Sequence, residues 1–116
     1  MKVNIFHFDQ AIEDGHITRI MTPRYLGYAE VETFDAEEIF DLCNWWHWAK
    51  EKPENLHADI DSCGSGLLVI NPETQEHWIA LSFGWLVGTE AKIYDYVLRN
   101  RNNVLWTKEE ELEDDL

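Results

Sequence analysis

"FDAEEIFDLCNWWHWAKEKPE", residues 34–54, is the best-defined element of the chain and has a helical period. Asp35 stands where a side-chain oxygen can take up the free amides of a first turn, and Glu38, three residues on, completes a capping-box pattern. Phe34 before the cap and Ile39 after it occupy hydrophobic-staple positions. Pro53 marks the stop. The stretch predicts a helix over 36–51. At roughly 100° per residue, Ile39, Leu42, Cys43, Trp46 and Ala49 fall into one apolar stripe, the face that packs on a sheet. Trp45 borders the stripe, Phe40 and His47 flank its other edge, and Trp48 points away from it beside Asp41.

Upstream, "VNIFHF" (3–8) alternates and is rich in branched and aromatic residues, as a strand is. "DQAIEDGH" reads as a turn broken at Gly15, after which "ITRIM" (17–21) can pair back. Pro23 and Gly27 make "TPRYLGYAEVETF" a loop that leads into a short strand near 28–33. Downstream, "ENLHADIDSCGSG" has the polar, glycine-bearing composition of a loop. "LLVIN" (67–71) and "HWIALSF" (77–83), joined by "PETQE", form a hairpin. "GWLVG" is a connection, "TEAKIYDYVLRN" opens a second helix at Thr89 that spans 89–100, and "NVLWT" is a short final strand. The expected fold is α+β: an antiparallel sheet carrying two main helices in a single domain over 1–107. Residues 108–116 form an acidic tail with too little apolar area to hold itself in place.

Composition narrows the function. The chain has 116 residues, enough to bury one core, and a hydrophobic fraction of 45% that argues against disorder. Nine Lys and Arg face 23 Asp and Glu, for a formal charge of -14. Such a surface repels nucleic acid and anionic membranes, so the expected partner is a basic protein rather than either. No apolar run approaches the roughly 18 residues of a membrane span. The opening "MKVNIFHFDQAIEDG" carries acids and a glycine where a signal core would be apolar, which points to a cytoplasmic setting. Cys43 and Cys63 are then two reduced thiols.

Six tryptophans in 116 residues are more than one small core needs. With Trp46 in the core, Trp45 and Trp48 have two possible uses. Either a loop such as "PRYLGY" covers them, or they form a protein-binding patch edged by Glu37, Asp41, Asp59 and Asp61. Tryptophan is over-represented at interface hot spots because a rigid ring buries much area at little entropic cost. Acids around it would steer a basic partner and fix its orientation.

Catalytic chemistry has weaker footing. In the alternating "HADID", His57, Asp59 and Asp61 would project to one face and could hold a divalent metal in a small metal-dependent enzyme. Cys43 and His47, one turn apart, are a second possible pair. Neither has a structural-zinc spacing, so no metal and no cofactor is expected. Cys63 in "DSCGSG" lacks the positive surroundings a reactive thiolate needs. The same "GSG" lacks the longer glycine spacing and the lysine of a phosphate loop. The chain reads as a binding protein and not as an enzyme.

"DLCNWWHWA", "LHADIDSCGSG" and the acidic tail, on a short α+β scaffold without catalytic signature, resemble the immunity proteins of bacterial toxin systems, such as those of contact-dependent inhibition. The resemblance is one of type over the whole chain and assigns no residue a role. It implies a stoichiometric inhibitor, an immunity protein or antitoxin, that occludes a basic cognate toxin such as a nuclease. A phage-encoded inhibitor of restriction or CRISPR machinery, whose carboxylates mimic the phosphates of DNA, has the same profile and is the alternative.

Overall fold

The computed structural model describes residues 1–82, 84–103 and 106. Eight strands and two helices stand among them. Six strands form one antiparallel sheet in the spatial order β5-β4-β1-β6-β7-β8: β1 Lys2–His7, β4 Arg24–Glu30, β5 Leu56–Ala58, β6 Leu67–Ile70, β7 His77–Leu81 and β8 Gly84–Gly88. The remaining two, β2 Gln10–Glu13 and β3 His16–Arg19, make a separate hairpin. Helix α1, Ala36–Cys43, packs on one face and helix α2, Glu90–Arg99, on the other.

The alternation of β1 explains this two-sided cover. Val3 and Ile5 point to the α1 face, where they meet Ala29, Ile39, Leu42, Leu67 and Val69 in one fully buried cluster. On the other face, Phe8, Leu68, Ile79 and Leu86 pack with Ile93, Tyr96 and Val97 of α2. Trp106 belongs to that second core. Its ring lies edge-on to Tyr96 at 5.3 Å, and the buried Arg19 guanidinium sits 4.5 Å above it. Arg19 also donates to the Phe8 carbonyl and to Ser65, which ties the hairpin root to the sheet.

Several elements differ from the sequence expectation. Residues 17–21 do not pair back on β1, because β1 is already flanked by β4 and β6. Instead β3 pairs with β2, and the turn shrinks to Asp14 and Gly15, both at positive φ, as a two-residue hairpin turn with Asp-Gly requires. Gly27 lies inside β4 rather than in a loop. The β1–β4 register slips there, between Ile5 and Phe6, and Gly27 adopts φ 132. A glycine inside a strand commonly marks such a bulge. "GWLVG" is the strand β8, paired with β7 from His77↔Gly88 to Leu81↔Gly84. The "LHA" of the expected loop is β5. The helix expected over 36–51 ends at Cys43 and is followed by a single 3₁₀ turn, Trp45–His47. Of the strand expected over "NVLWT" only Asn103 and Trp106 are among the described residues, and the tail expected over 108–116 lies outside them.

The hairpin of β6 and β7, the cap at Asp35 and the second helix stand where the sequence placed them. Asp35 accepts the amides of Glu37 and Glu38 at 3.0 and 3.4 Å, and Thr89 accepts that of Lys92.

Gly27 gives the sharpest test of this arrangement. A Cβ on it would stand 2.1 Å from the His57 carbonyl oxygen of the neighbouring strand, in a backbone conformation that side chains disfavour. Gly27→Ala should therefore separate β5 from β4 and cost more than about 3 kcal/mol. Urea denaturation checks this, and an unchanged midpoint would mean that the β4–β5 pairing is not as described.

Candidate functional site

The tryptophan-rich turn takes its shape from Asn44. Asparagine side chains compete with the helical backbone for hydrogen bonds, and this one does so at the end of α1. Its carboxamide donates to the Phe40 carbonyl (2.9 Å) and to Cys63 Sγ (3.2 Å), and its Oδ1 accepts the Cys63 amide (2.8 Å). The chain then tightens into the 3₁₀ turn, and the segment 60–63 closes against it. Trp45 donates its indole N–H to the Ile60 carbonyl (2.7 Å), the Trp46 amide donates to the Asp61 carbonyl (3.1 Å), and His47 Nε2 lies 3.0 Å from Ser62 Oγ.

This break in the helix re-aims every residue after it. Trp46, expected in the core stripe, is 67% exposed. The stripe argument assumed a continuous helix to Glu51, and the tightening at Asn44 rotates Trp46 outward. Trp45 takes the inner position instead, half-buried against the α1-side core. Trp48 is 58% exposed, and its indole N–H donates to the Asp41 carbonyl at 2.8 Å. No loop among the described residues covers these rings, since "PRYLGY" is committed to β4. The result is two exposed tryptophans on one turn, with the half-buried Trp45 ring edge-on to Trp46 at 6.3 Å.

The predicted acids are placed unequally around this turn. Asp41 is adjacent, joined to Trp48 through its carbonyl. Asp61 holds the Trp46 backbone from the opposite side. Glu37 lies one turn before Asp41 on α1, with its carboxylate accepting the Trp85 indole N–H at 2.7 Å. Asp59 and Asp61 line a groove of about 200 Å³ shared with His7, Asp9 and Arg24. There Asp9 pairs with Arg24 Nε and with His7 Nδ1, each at 2.8 Å. The Arg24 guanidinium in particular holds the Asp9 carboxyl below its ordinary value, with His7 adding to the effect and partial burial opposing it.

The alternative metal site is not assembled. The His57 ring stacks on Tyr28 at 4.9 Å, away from the groove of Asp59 and Asp61. His47 and Cys43 are separated by the break at Asn44, and Cys43 is fully buried. Among the described residues no three His, Cys, Asp or Glu side chains converge on one point.

Two arrangements were missed by sequence reasoning. The free thiols of Cys43 and Cys63 stand side by side beneath the turn and perturb one another. The Cys43 thiol, helped by the Asn44 amide, holds Cys63 down against the opposing effect of burial, while Cys43 is pushed up. No spacing in the sequence announces that contact. The helix break was detectable in principle, because Asn44 precedes four bulky residues and is a poor helix interior residue.

Compared with known families, proteins and structures, the chain gives no match: no family model, no curated protein and no solved structure is similar to it.

The Asp9 cluster has a pH signature. A carboxyl whose pKa is lowered on folding contributes stability that is fully present above its ordinary value of 3.8. That contribution is lost as the pH falls through the lowered value in the folded protein. Asp9→Asn should consequently flatten the acid side of the melting-temperature profile below about pH 4. A profile that superimposes on that of the parent chain would show that the Arg24 pairing does not act on stability.

Proposed function

We propose that this chain is a stoichiometric inhibitor of the immunity-protein or antitoxin kind, which binds a basic protein toxin such as a nuclease in the cytoplasm and blocks it by occlusion. The observation that carries the proposal is the pair of exposed indoles, Trp46 and Trp48, on a turn bordered by Asp41 and Asp61. A soluble domain gains nothing in folding from two exposed tryptophans on one turn, whereas a protein partner that covers them gains two rigid anchors. The backbone around them is held by bonds from Asn44, Trp45 and His47, so little freedom remains to be lost on binding. The formal charge of -14 suits a basic partner and speeds its approach. In this reading Asp41 and Asp61 meet lysines and arginines of the toxin's cleft while the two indoles fill an apolar recess.

The test separates folding from binding. Trp46→Ala and Trp48→Ala should each change stability by no more than about 1 kcal/mol, as surface substitutions do. Trp45→Ala should cost about 2 kcal/mol or more, since its ring packs on the core and its N–H satisfies Ile60. Against the product of the neighbouring gene, Trp46→Ala or Trp48→Ala should weaken binding by about 2 kcal/mol or more. Thermal melts and a binding titration with a nuclease assay decide it. Full inhibition by a Trp46→Ala, Trp48→Ala double variant would remove the basis of the proposal.

A further inference from the structure

A second aromatic site lies beyond the edge of α1. The helix covers one face of the sheet only as far as its own eight residues reach, and β7 and β8 continue past it. At the margin of the helix stand Trp78 and Trp85, both partly buried against the core it covers and diagonal neighbours on the paired strands, with ring centroids 6.0 Å apart and planes at 73°. Phe34, just before the helix, lies 5.6 Å from Trp78. The three rings line a groove of about 400 Å³ whose rim carries the carboxylates of Asp35 and Glu37.

The chemistry of this groove is specific. Indole and phenyl faces carry negative electrostatic potential, so converging rings attract a cation, and a nearby carboxylate strengthens the attraction. Asp35 uses Oδ1 for the two amides it caps, and Glu37 uses Oε1 for the Trp85 indole. Their other oxygens accept nothing among the described residues. The Glu37–Trp85 bond fixes one wall and one charge together before any ligand arrives. None of the residues that line the groove is a lysine or arginine, so no cation among the described residues stands in its wall. An anion is disfavoured by the two carboxylates, and a neutral apolar group would bury them without a partner.

We propose that this groove, walled by Phe34, Trp78 and Trp85 and closed by Glu37 and Asp35, receives an arginine side chain of a protein partner. A guanidinium is flat enough to stack on an indole and offers a fork of donors to two carboxylate oxygens, where an ammonium offers only a point charge. An arginine already lies over an indole inside the domain, where the Arg19 guanidinium stands 4.5 Å from the centre of the Trp106 ring. The assignment extends the reading above from the partner's overall charge to one of its side chains, and rests on that reading for the partner being a basic protein. Glu37 lies one helical turn from Asp41, which borders the exposed tryptophans, so one partner can span both sites.

The groove can be tested without the partner. In roughly 0.15 M salt, where long-range attraction to an acidic surface is screened, N-acetyl-arginine amide is titrated into the full chain. The indole N–H resonances of the six tryptophans are followed by NMR. Saturable shifts confined to Trp78 and Trp85 are expected, with dissociation constants in the millimolar range for so small a probe. N-acetyl-citrulline amide, neutral and nearly isosteric, should give no saturation, and N-acetyl-lysine amide should bind at least about 3-fold more weakly. Glu37→Gln keeps an acceptor for the Trp85 indole while removing the charge, and should weaken the arginine probe about 5-fold or more. Equal shifts with citrulline, tighter binding of lysine, movement of all six indoles alike, or an unaffected Glu37→Gln variant would each overturn the proposal. Since the titration reads the groove alone, a failed toxin assay leaves it standing, and its own failure leaves the Trp46–Trp48 site untouched.

Discussion

The Asn44 carboxamide donates to the Phe40 carbonyl of α1 and, through its oxygen, accepts the Cys63 amide of a segment nineteen residues further on. Helix termination and long-range closure are therefore one event. Were α1 to run on as a regular helix, Trp45, Trp46 and Trp48 would be spread around its circumference, and the segment 60–63 would lose its anchors at Trp45, Trp46 and His47. With the break in place, Trp45 goes inward, Trp46 and Trp48 go outward, and the backbone between them is bonded on both sides. The cost is a shorter helix. It is offset by bonds from a side chain and a loop that would otherwise face water.

The shortness of α1 then decides what the sheet leaves open. A six-stranded sheet is wider than one short helix can cover. Here α1 serves one face and α2 the other, the latter packed on β7 and β8. Each face keeps an uncovered part. On the α2 face it carries Tyr25, Tyr28 and His57, with Lys2 lying 4.3 Å over the Tyr28 ring. On the α1 face it carries Trp78 and Trp85 beneath acidic residues of the helix. The two parts differ in sign: one aromatic surface is already supplied with its own lysine, and the other, among the described residues, is lined by carboxylates and no cation. That difference makes the second the more plausible seat for a partner's cation.

Local signals in the sequence were legible where local physics governs. The cap at Asp35, the second helix at Thr89 and the β6–β7 hairpin depend on residues within a few positions of one another, and each stands where its signal placed it. The antiparallel α+β class follows from them. What the sequence concealed was competition between distant groups. Nothing near residues 17–21 shows that β1 is already paired on both edges, and nothing near Gly27 shows that a neighbouring carbonyl approaches too closely for a side chain. The wheel placed Trp48 outside correctly, and placed Trp46 inside only because Asn44 was read as one more helical residue. Of the acids chosen beside the tryptophans, Asp41 and Asp61 adjoin the turn. Glu37 turns out to be tied to a different tryptophan, and Asp59 faces the groove of Asp9 and Arg24.

Charge alone does not make such a surface selective. At physiological salt an acidic group is felt over about 8 Å, so most of the formal charge of -14 affects only the approach of a cation. Selectivity has to come from acids that sit against something rigid. Three places meet that requirement: Asp41 beneath the Trp48 indole, Asp61 behind the Trp46 backbone, and Glu37 bonded to Trp85. At Glu37 the carboxylate itself accepts the Trp85 indole N–H, so ring and charge present themselves in one fixed geometry. Asp41 and Asp61 accept through their backbone carbonyls, which fixes the tryptophan beside the acid rather than the carboxylate. A cation that reaches such a pair gains dispersion contact and Coulomb attraction without ordering either group first. Partners that are merely basic gain only the second. On the proposed reading, the surplus of tryptophan over what the core requires is the means by which a generally acidic surface becomes selective.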